Sequence, residues 1–520
     1  MKREVVFLKI HLRLISLFVA MLTVVSLFGC KKEEKPEVTE AQKNENSVII
    51  DDGYVITCPK SKKEVVATYL AKLIRRTVSS EIGISMDIQD DWYRNESDIP
   101  EKEILVGKTD RPESISVYES LGENRWSVSM INSKIVIAGN GNKALQEAAN
   151  YFIDNFISGK DRISVEKGTV YMGSARLMNF SWSEGKLYNP VGGGYPRFYE
   201  LQDGTLLLAV DGMTVYRSED DGLTWDKGVH ASQDYKNTAN AALYQTEDGT
   251  VYLAFRAPFN EADGTFNSSI QVSYSTDNGY TWKHHSTLYQ NYEPTGAYKG
   301  VWEPHFGMMN GKLTCFYAND STNVTTYQNI EYLQWDEEKQ EWGNRTIVFN
   351  GEDHKSRDGM PVWQQLSTGE YVCVVEAWDH ENDNHFCVQL SWSEDGVNWS
   401  DPVAVMRPNE KAYACAAPYI VELPTGQLLI SCQTKERGID VTQMATCLSD
   451  GTNVRCITEE NFYEHDYPTV IKSTFANRDS SWNGMYVYKN YIFTCSAGVI
   501  INRYEFDPIF LEKPEVEIKK

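Results

Sequence analysis

Two glutamates of this 520-residue chain stand where a carboxylate is costly. Glu303 lies in Val301-Trp302-Glu303-Pro304-His305-Phe306, and Glu376 ends the run Val372-Cys373-Val374-Val375. An ionised carboxyl among apolar neighbours loses hydration unless it is paired or its pKa rises. Two such groups, one attacking and one trading a proton, can cleave a glycosidic bond. The blander alternatives are a loop hydrogen bond for Glu303 and a strand-end ion pair for Glu376. Other polar residues interrupt or end apolar strands nearby and are read as substrate-binding. They are Tyr195 and Arg197 in Tyr-Pro-Arg-Phe, Asn240 and Arg256, Trp302 and His305 beside Glu303, and Arg357 and Asp358 before Gly359-Met360. Arg197, Arg256 and Arg357 could orient a carboxylate or bind sugar hydroxyls; pairing with a nearby Asp is the structural alternative. Trp302, Trp363 and Trp378 could stack on sugar rings or belong to the core. His380, Glu381 and His385 match no standard metal spacing and read as a solvated hairpin loop, so neither a metal nor a cofactor is expected.

These residues need a scaffold, and a repeat supplies it. Ser218-Glu-Asp220-Asp-Gly222-Leu-Thr224-Trp225 recurs 57 residues later as Ser275 to Trp282. A copy shorter by one residue, Ser393 to Trp399, follows 118 residues after the second. Degenerate traces fall at Gln334-Trp335-Asp336 with Trp342, and at Ser449-Asp450-Gly451. The copies resemble the Asp-box of sialidase-like propellers. Physically each is a hairpin turn held by its own Asp and Ser, with Gly at positive φ and Trp packed between repeats. No catalytic role is assigned to it. Short Val-, Ile- and Tyr-rich strands at even spacing over 180–515 complete the pattern. The expectation is a mainly β chain: a six-bladed propeller, its last blade built from residues near 484–510 plus an early strand.

Residues 48–175 mix periods. Glu64 to Val78 and Lys143 to Ile157 have helical spacing, while Ile104-Leu105-Val106 and Lys134 to Ala138 read as strands. A small α/β domain is expected. Its EILVG and IVIAGNGNKAL segments resemble the domain that precedes the catalytic domain in hexosaminidases and α-glucuronidases. Gly139 and Gly141 read as a structural turn, since the full dinucleotide fingerprint is missing.

The N-terminus reads as an address. Lys2, Arg3, Lys9 and Arg13 precede an apolar run, Leu14 to Phe28, and Leu27-Phe28-Gly29-Cys30 resembles a bacterial lipobox. Residues 1–29 are therefore expected to be removed, Cys30 to carry lipid at the envelope's outer face, and 30–47 to form a charged tether. A plain signal peptide is the alternative. The charge of −23 disfavours nucleic acid and suits a neutral substrate. The remaining nine cysteines lack metal spacing and read as buried small hydrophobes, with Cys373–Cys387 a conceivable pair. The chain is expected to be a monomer.

From about 190 to 440 the chain resembles the exo-1,5-α-L-arabinanases of glycoside hydrolase family 93, which have this propeller fold. The resemblance rests on YPRFYELQDGTLLL, NAALYQ with LAFR, WEP, RDGM before a strand ending in Glu, and APYI with GQLLISCQT. It implies that Glu303 and Glu376 are the catalytic pair of a retaining, exo-acting enzyme on α-1,5-arabinan or a similar glycan. Roles within the pair are not legible; the working expectation is Glu303 as nucleophile and Glu376 as acid/base. The extra N-terminal domain, the anchor and His305 depart from the family pattern. Two other readings stand beside it: an exo-α-sialidase, which needs three arginines around a carboxylate, and a non-catalytic glycan-binding propeller.

Overall fold

The computed structural model describes residues 46–61, 63–182, 186–188, 193–232, 235–260, 266–292, 299–321, 327–379, 386–408, 414–435, 443–465, 481–497 and 500–520. Cys30 and its flanking segment lie outside these residues, as do His380, Glu381 and His385. Among the described residues no helix is long and apolar enough to cross a membrane.

The first layer is a seven-stranded sheet. Its order is Ile88–Asp90, Val55–Cys58, Glu103–Val106, Lys134–Gly139, Arg125–Ile131, Val170–Ser174 and Glu517–Lys519. The first four strands are parallel; the three inner ones are largely apolar and buried because helices cover both faces, whereas the edge strand Ile88–Asp90 is Ile-Gln-Asp. Helices α1 (Val65–Thr77) and α2 (Asn142–Phe152) bury Leu70, Ile74, Leu145 and Phe152 on one side. The helix Pro112–Ser120 covers Leu105 and Val136 on the other. At the loop before α2 a Cβ on Gly139 would lie 2.0 Å from the Leu145 nitrogen. Strand and helix touch there, so the glycine serves packing. Strand Glu517–Lys519 pairs with Val170–Ser174, so the sheet closes with residues from the far end of the chain.

Six four-stranded antiparallel sheets form the second layer, and together they are a six-bladed β-propeller. The innermost strands are Arg197–Glu200, Ala239–Gln245, Val301–Met309, Ser356–Gln365, Ala416–Glu422 and Gly484–Tyr488. The sixth blade combines Gly484–Tyr488, Tyr491–Ser496 and Ile500–Glu505 with Lys186–Tyr188, so both ends of the propeller segment share one sheet, as expected. Apolar contacts run from blade to blade round the ring. Leu207 meets Phe255, Ala254 meets Tyr317, Phe316 meets Trp363, Val374 meets Ile430 and Ile492, and Phe493 returns to Leu208.

The Asp-box turns are self-contained. Asp277 accepts from Thr281 N at 2.8 Å, from Thr281 Oγ1 at 2.6 Å and from Ser275 Oγ at 2.7 Å. Asp220 and Asp395 make equivalent sets, and Gly222, Gly279 and Gly396 take φ between 75° and 84°. The degenerate blade-three turn is capped by Asp336, which accepts from Glu338 N and Lys339 N. In blade five the turn has another task. Gln146 Nε2 of α2 donates to Gly451 O at 2.8 Å, and Asn142 Nδ2 to Thr452 Oγ1 at 3.0 Å. Nearby Arg455 donates to Glu370 at 2.6 Å and also meets Glu394. The α/β layer thus docks on the propeller face that carries these turns.

All nine described cysteines are buried. Cys387 faces Ala377 across its hairpin and Cys373 faces Ser391, so the conceivable Cys373–Cys387 pair is out of register.

Candidate active site

In each blade one residue of the innermost strand, or just ahead of it, has left-handed backbone. These are Tyr195, Asn240, Glu303, Met360, Ala417 and Trp482, with φ from 47° to 61°. In four blades the pairing with the second strand slips at this residue, which is a β-bulge. A bulge withdraws a backbone N–H from the ladder, and here a polar side chain of the preceding blade takes it. Asn240 N donates to Asp211 Oδ1 at 2.9 Å, Met360 N to Glu303 Oε2 at 2.9 Å, Ala417 N to Glu376 Oε2 at 2.8 Å and Trp482 N to Gln433 Oε1 at 2.8 Å. The repeat that closes the propeller therefore also fixes charged side chains around its axis.

Glu303 and Glu376 come together across one peptide. Glu303 binds the Met360 N–H, while Glu376 Oε1 lies 2.9 Å from where a Cβ on Gly359 would stand. Glu376 is 7% exposed and takes Arg357 Nη1 at 3.3 Å. Burial raises the Glu303 pKa from 4.5 to about 7; the charge of Glu376 adds to this, and Arg357 and the Met360 N–H oppose it. The Glu303 carboxyl therefore holds its proton to a higher pH than an exposed glutamate does.

A cavity of about 500 Å³ opens above them, lined by Tyr195, Asp211, Asn240, Arg256, Trp302, Glu303, Asp320, Arg357 and Trp482 among others. Arg256 donates Nε to Asn240 Oδ1 at 3.0 Å and lies 4.8 Å above the Trp302 ring. Asp320 accepts from Gly300 N at 2.5 Å and from Trp302 Nε1 at 3.4 Å. Burial raises the pKa of both Asp211 and Asp320. The strands run antiparallel, so the Asp-boxes, at the far end of each third strand, lie on the opposite face.

No protein-family model matches this chain, and no curated protein matches it. Among solved structures, the family 93 α-L-arabinofuranosidase of Fusarium graminearum, in complex with arabinobiose, is 19% identical; the match covers 62% of this chain and 97% of that one, at a TM-score of 0.49. The Penicillium chrysogenum α-L-arabinanase complexed with arabinobiose is 20% identical over 63% of this chain and 99% of its own, at 0.48. A sialidase from Streptococcus pneumoniae is 10% identical over 66% and 74%, at 0.42. The six sheets of the chain itself, rather than these likenesses, establish the propeller.

Of the residues singled out in the sequence, Tyr195, Asn240, Arg256, Trp302, Glu303 and Arg357 line the cavity, and Glu376 joins it through Arg357. Arg197 and His305 sit deeper. They line a separate axial chamber of about 440 Å³ and are absent from the cavity wall. The Arg197 guanidinium lies 3.8 Å from the Tyr195 ring and 5.2 Å from that of Tyr419. Burial, helped by Arg197, lowers the His305 pKa to about 3, so that ring is neutral. Asp358 does not reach the cavity. It is 1% exposed and accepts from Ser356 Oγ at 2.6 Å, because strand alternation turns it away from the side that Arg357 faces. Trp363 is 2% exposed and stacks on Phe316 at 4.8 Å, which makes it blade core and not a sugar platform. Trp378 packs on Phe386 at 5.2 Å. Asp211, Asp320 and Trp482 were not read from the sequence. Asp211 carried a signal: it ends the apolar run Leu206–Val210 as Glu376 ends the run Val372–Val375 inside its strand.

Proposed function

We propose that this chain is a retaining, exo-acting glycoside hydrolase on a neutral polysaccharide, with α-1,5-arabinan the first substrate to test. The observation that carries the reading is the Glu303–Glu376 pair on either side of the Gly359–Met360 peptide, beside a cavity lined by Glu303, Arg256 and Arg357. In the first step one carboxylate attacks the anomeric carbon while the other protonates the leaving oxygen. In the second the emptied base takes a proton from water, which displaces the first carboxylate. The raised pKa of Glu303 keeps a proton on this site towards neutrality, and such a cycle needs one at its start. The lipobox reading adds anchoring through Cys30, which would hold the enzyme at the envelope surface.

A sialidase needs several guanidiniums on one carboxylate. Here Arg256 and Arg357 share the cavity with Asp211, Asp320 and the glutamate pair, which favours a neutral ligand.

Linear arabinan, sialyllactose and rhamnogalacturonan, incubated with the full chain and separated by chromatography, test the substrate. Release of arabinose from chain ends is expected. Glu303→Gln and Glu376→Gln should each lower turnover by orders of magnitude. Azide then sorts the roles: it should rescue the acid/base variant with a glycosyl azide of retained configuration and give the inverted azide with the nucleophile variant. Near-normal turnover in either variant ends the two-carboxylate reading, and retained glycan binding without hydrolysis by the parent favours a binding propeller.

A further inference from the structure

Asp211 stands in blade one where Glu376 stands in blade four. Asp211 N donates to Gly194 O at 2.8 Å, just ahead of the left-handed Tyr195, while Glu376 pairs with Gly359, just ahead of the left-handed Met360. Each carboxylate also takes the bulge N–H of the next blade. Their other oxygens differ. Glu376 turns its own to Arg357, whereas Asp211 Oδ2 has no hydrogen-bond partner among the described residues. Gly194 backs that oxygen: a Cβ there would come within 2.7 Å of it. Beside it, the Nη atoms of Arg256 and the side-chain amide of Asn240 are likewise without partners among the described residues, Arg256 Nε being spent on Asn240 Oδ1. Three polar groups on one wall of a shared cavity thus keep hydrogen-bonding capacity in hand.

The geometry assigns Asp211, with Asn240 and Arg256, as the face that grips hydroxyls of the terminal sugar, and so as the determinant of selection for a neutral ring. One hydroxyl donates to Asp211 Oδ2, and its neighbour accepts from Arg256. A carboxylated sugar turned to this face would set its charge against Asp211, with Asp320 and the glutamate pair close by. The assignment rests on the proposed hydrolase reading and deepens it. Burial holds the Asp211 carboxyl above its usual range, with the Asn240 N–H and the Arg197 and Arg256 charges pulling it back, so its grip weakens early in acid.

Asp211→Asn keeps an oxygen for the Asn240 N–H and exchanges the outward oxygen for an amide. The full chain carrying Glu376→Gln, which is expected not to turn over, allows calorimetry with arabinobiose. Adding Asp211→Asn is expected to weaken binding roughly ten- to hundredfold, the range of a hydrogen bond to a charged group. The melting temperature should not fall, since the amide escapes the cost of a buried carboxylate. Arabinobiose analogues that each lack one hydroxyl of the terminal ring locate the contact, because the Asp211→Asn penalty should vanish for the analogue whose hydroxyl is the partner. A penalty equal for all analogues would make Asp211 a mere support of the wall. Arabinobiose binding that ignores the substitution would remove it from recognition. Either result overturns this assignment and leaves the hydrolase reading standing. Sialyllactose bound in preference to arabinobiose, or no neutral glycan bound at all, overturns both.

Discussion

Replacing Glu303 by Gln should make the protein more stable as it makes it inactive, and the gain should depend on pH. Burial raises the Glu303 pKa from 4.5 to about 7, with the Glu376 charge adding to it. Between those two values the folded chain binds more protons than the unfolded one, so stability falls as pH rises through that window. At 1.36 kcal/mol per pH unit the full difference is about 3 kcal/mol, present above pH 7 and absent below 4.5. Glutamine keeps an oxygen for the Met360 N–H and carries no charge at any pH, so it escapes this cost. An unfolding entropy of about 2.1 cal/mol/K per residue, over 520 residues, converts 3 kcal/mol to roughly 3 °C. Calorimetric melting of parent and variant from pH 4.5 to 8 should therefore show the variant's advantage widening by about 3 °C towards the alkaline end. A constant gap, or one that narrows as pH rises, would refute the claim that the folded state raises the Glu303 pKa.

Asp277→Ala removes three hydrogen bonds of one turn on the face opposite the cavity. It should cost roughly 1–2 kcal/mol, read as a lower melting temperature, while the folded fraction keeps its turnover. Selective loss of turnover at full stability would argue against a purely structural turn. Cys30→Ser should release the protein from membranes or leave its precursor uncleaved, read by fractionation and by the mass of the N-terminal peptide. A processed, membrane-bound Cys30→Ser protein would exclude lipid attachment there.

The propeller was legible because its turns repeat. Asp220, Asp277 and Asp395 each hold a turn through their own side chain, and that requirement is local enough to appear as a motif. The blade-five copy is degenerate for a visible reason: Gly451 and Thr452 bind Gln146 and Asn142, so this turn serves docking as well. The site was less legible. The left-handed ring at Tyr195, Asn240, Glu303, Met360, Ala417 and Trp482 is regular in backbone, but its residue types differ in every blade. Asp211 sits before Gly212 and looks like a turn residue, although its capping N–H comes from the next blade. Asp358 was read as substrate-binding together with Arg357, as polar residues of one strand, and a period of two sends such neighbours to opposite faces.

The seven-stranded sheet takes its last strand, Glu517–Lys519, from beyond the propeller. In folding terms the propeller is a guest inserted into a host domain, and two closures wait on distant sequence: Lys186–Tyr188 on Ile500–Glu505, and Val170–Ser174 on Glu517–Lys519. Both are long-range pairings, which slow folding. Until they form, the Val170–Ser174 strand is an uncovered edge, open to another chain. While the chain is being made, its vulnerable surface is therefore the hem of the first domain, exposed for as long as some three hundred residues of propeller take to follow.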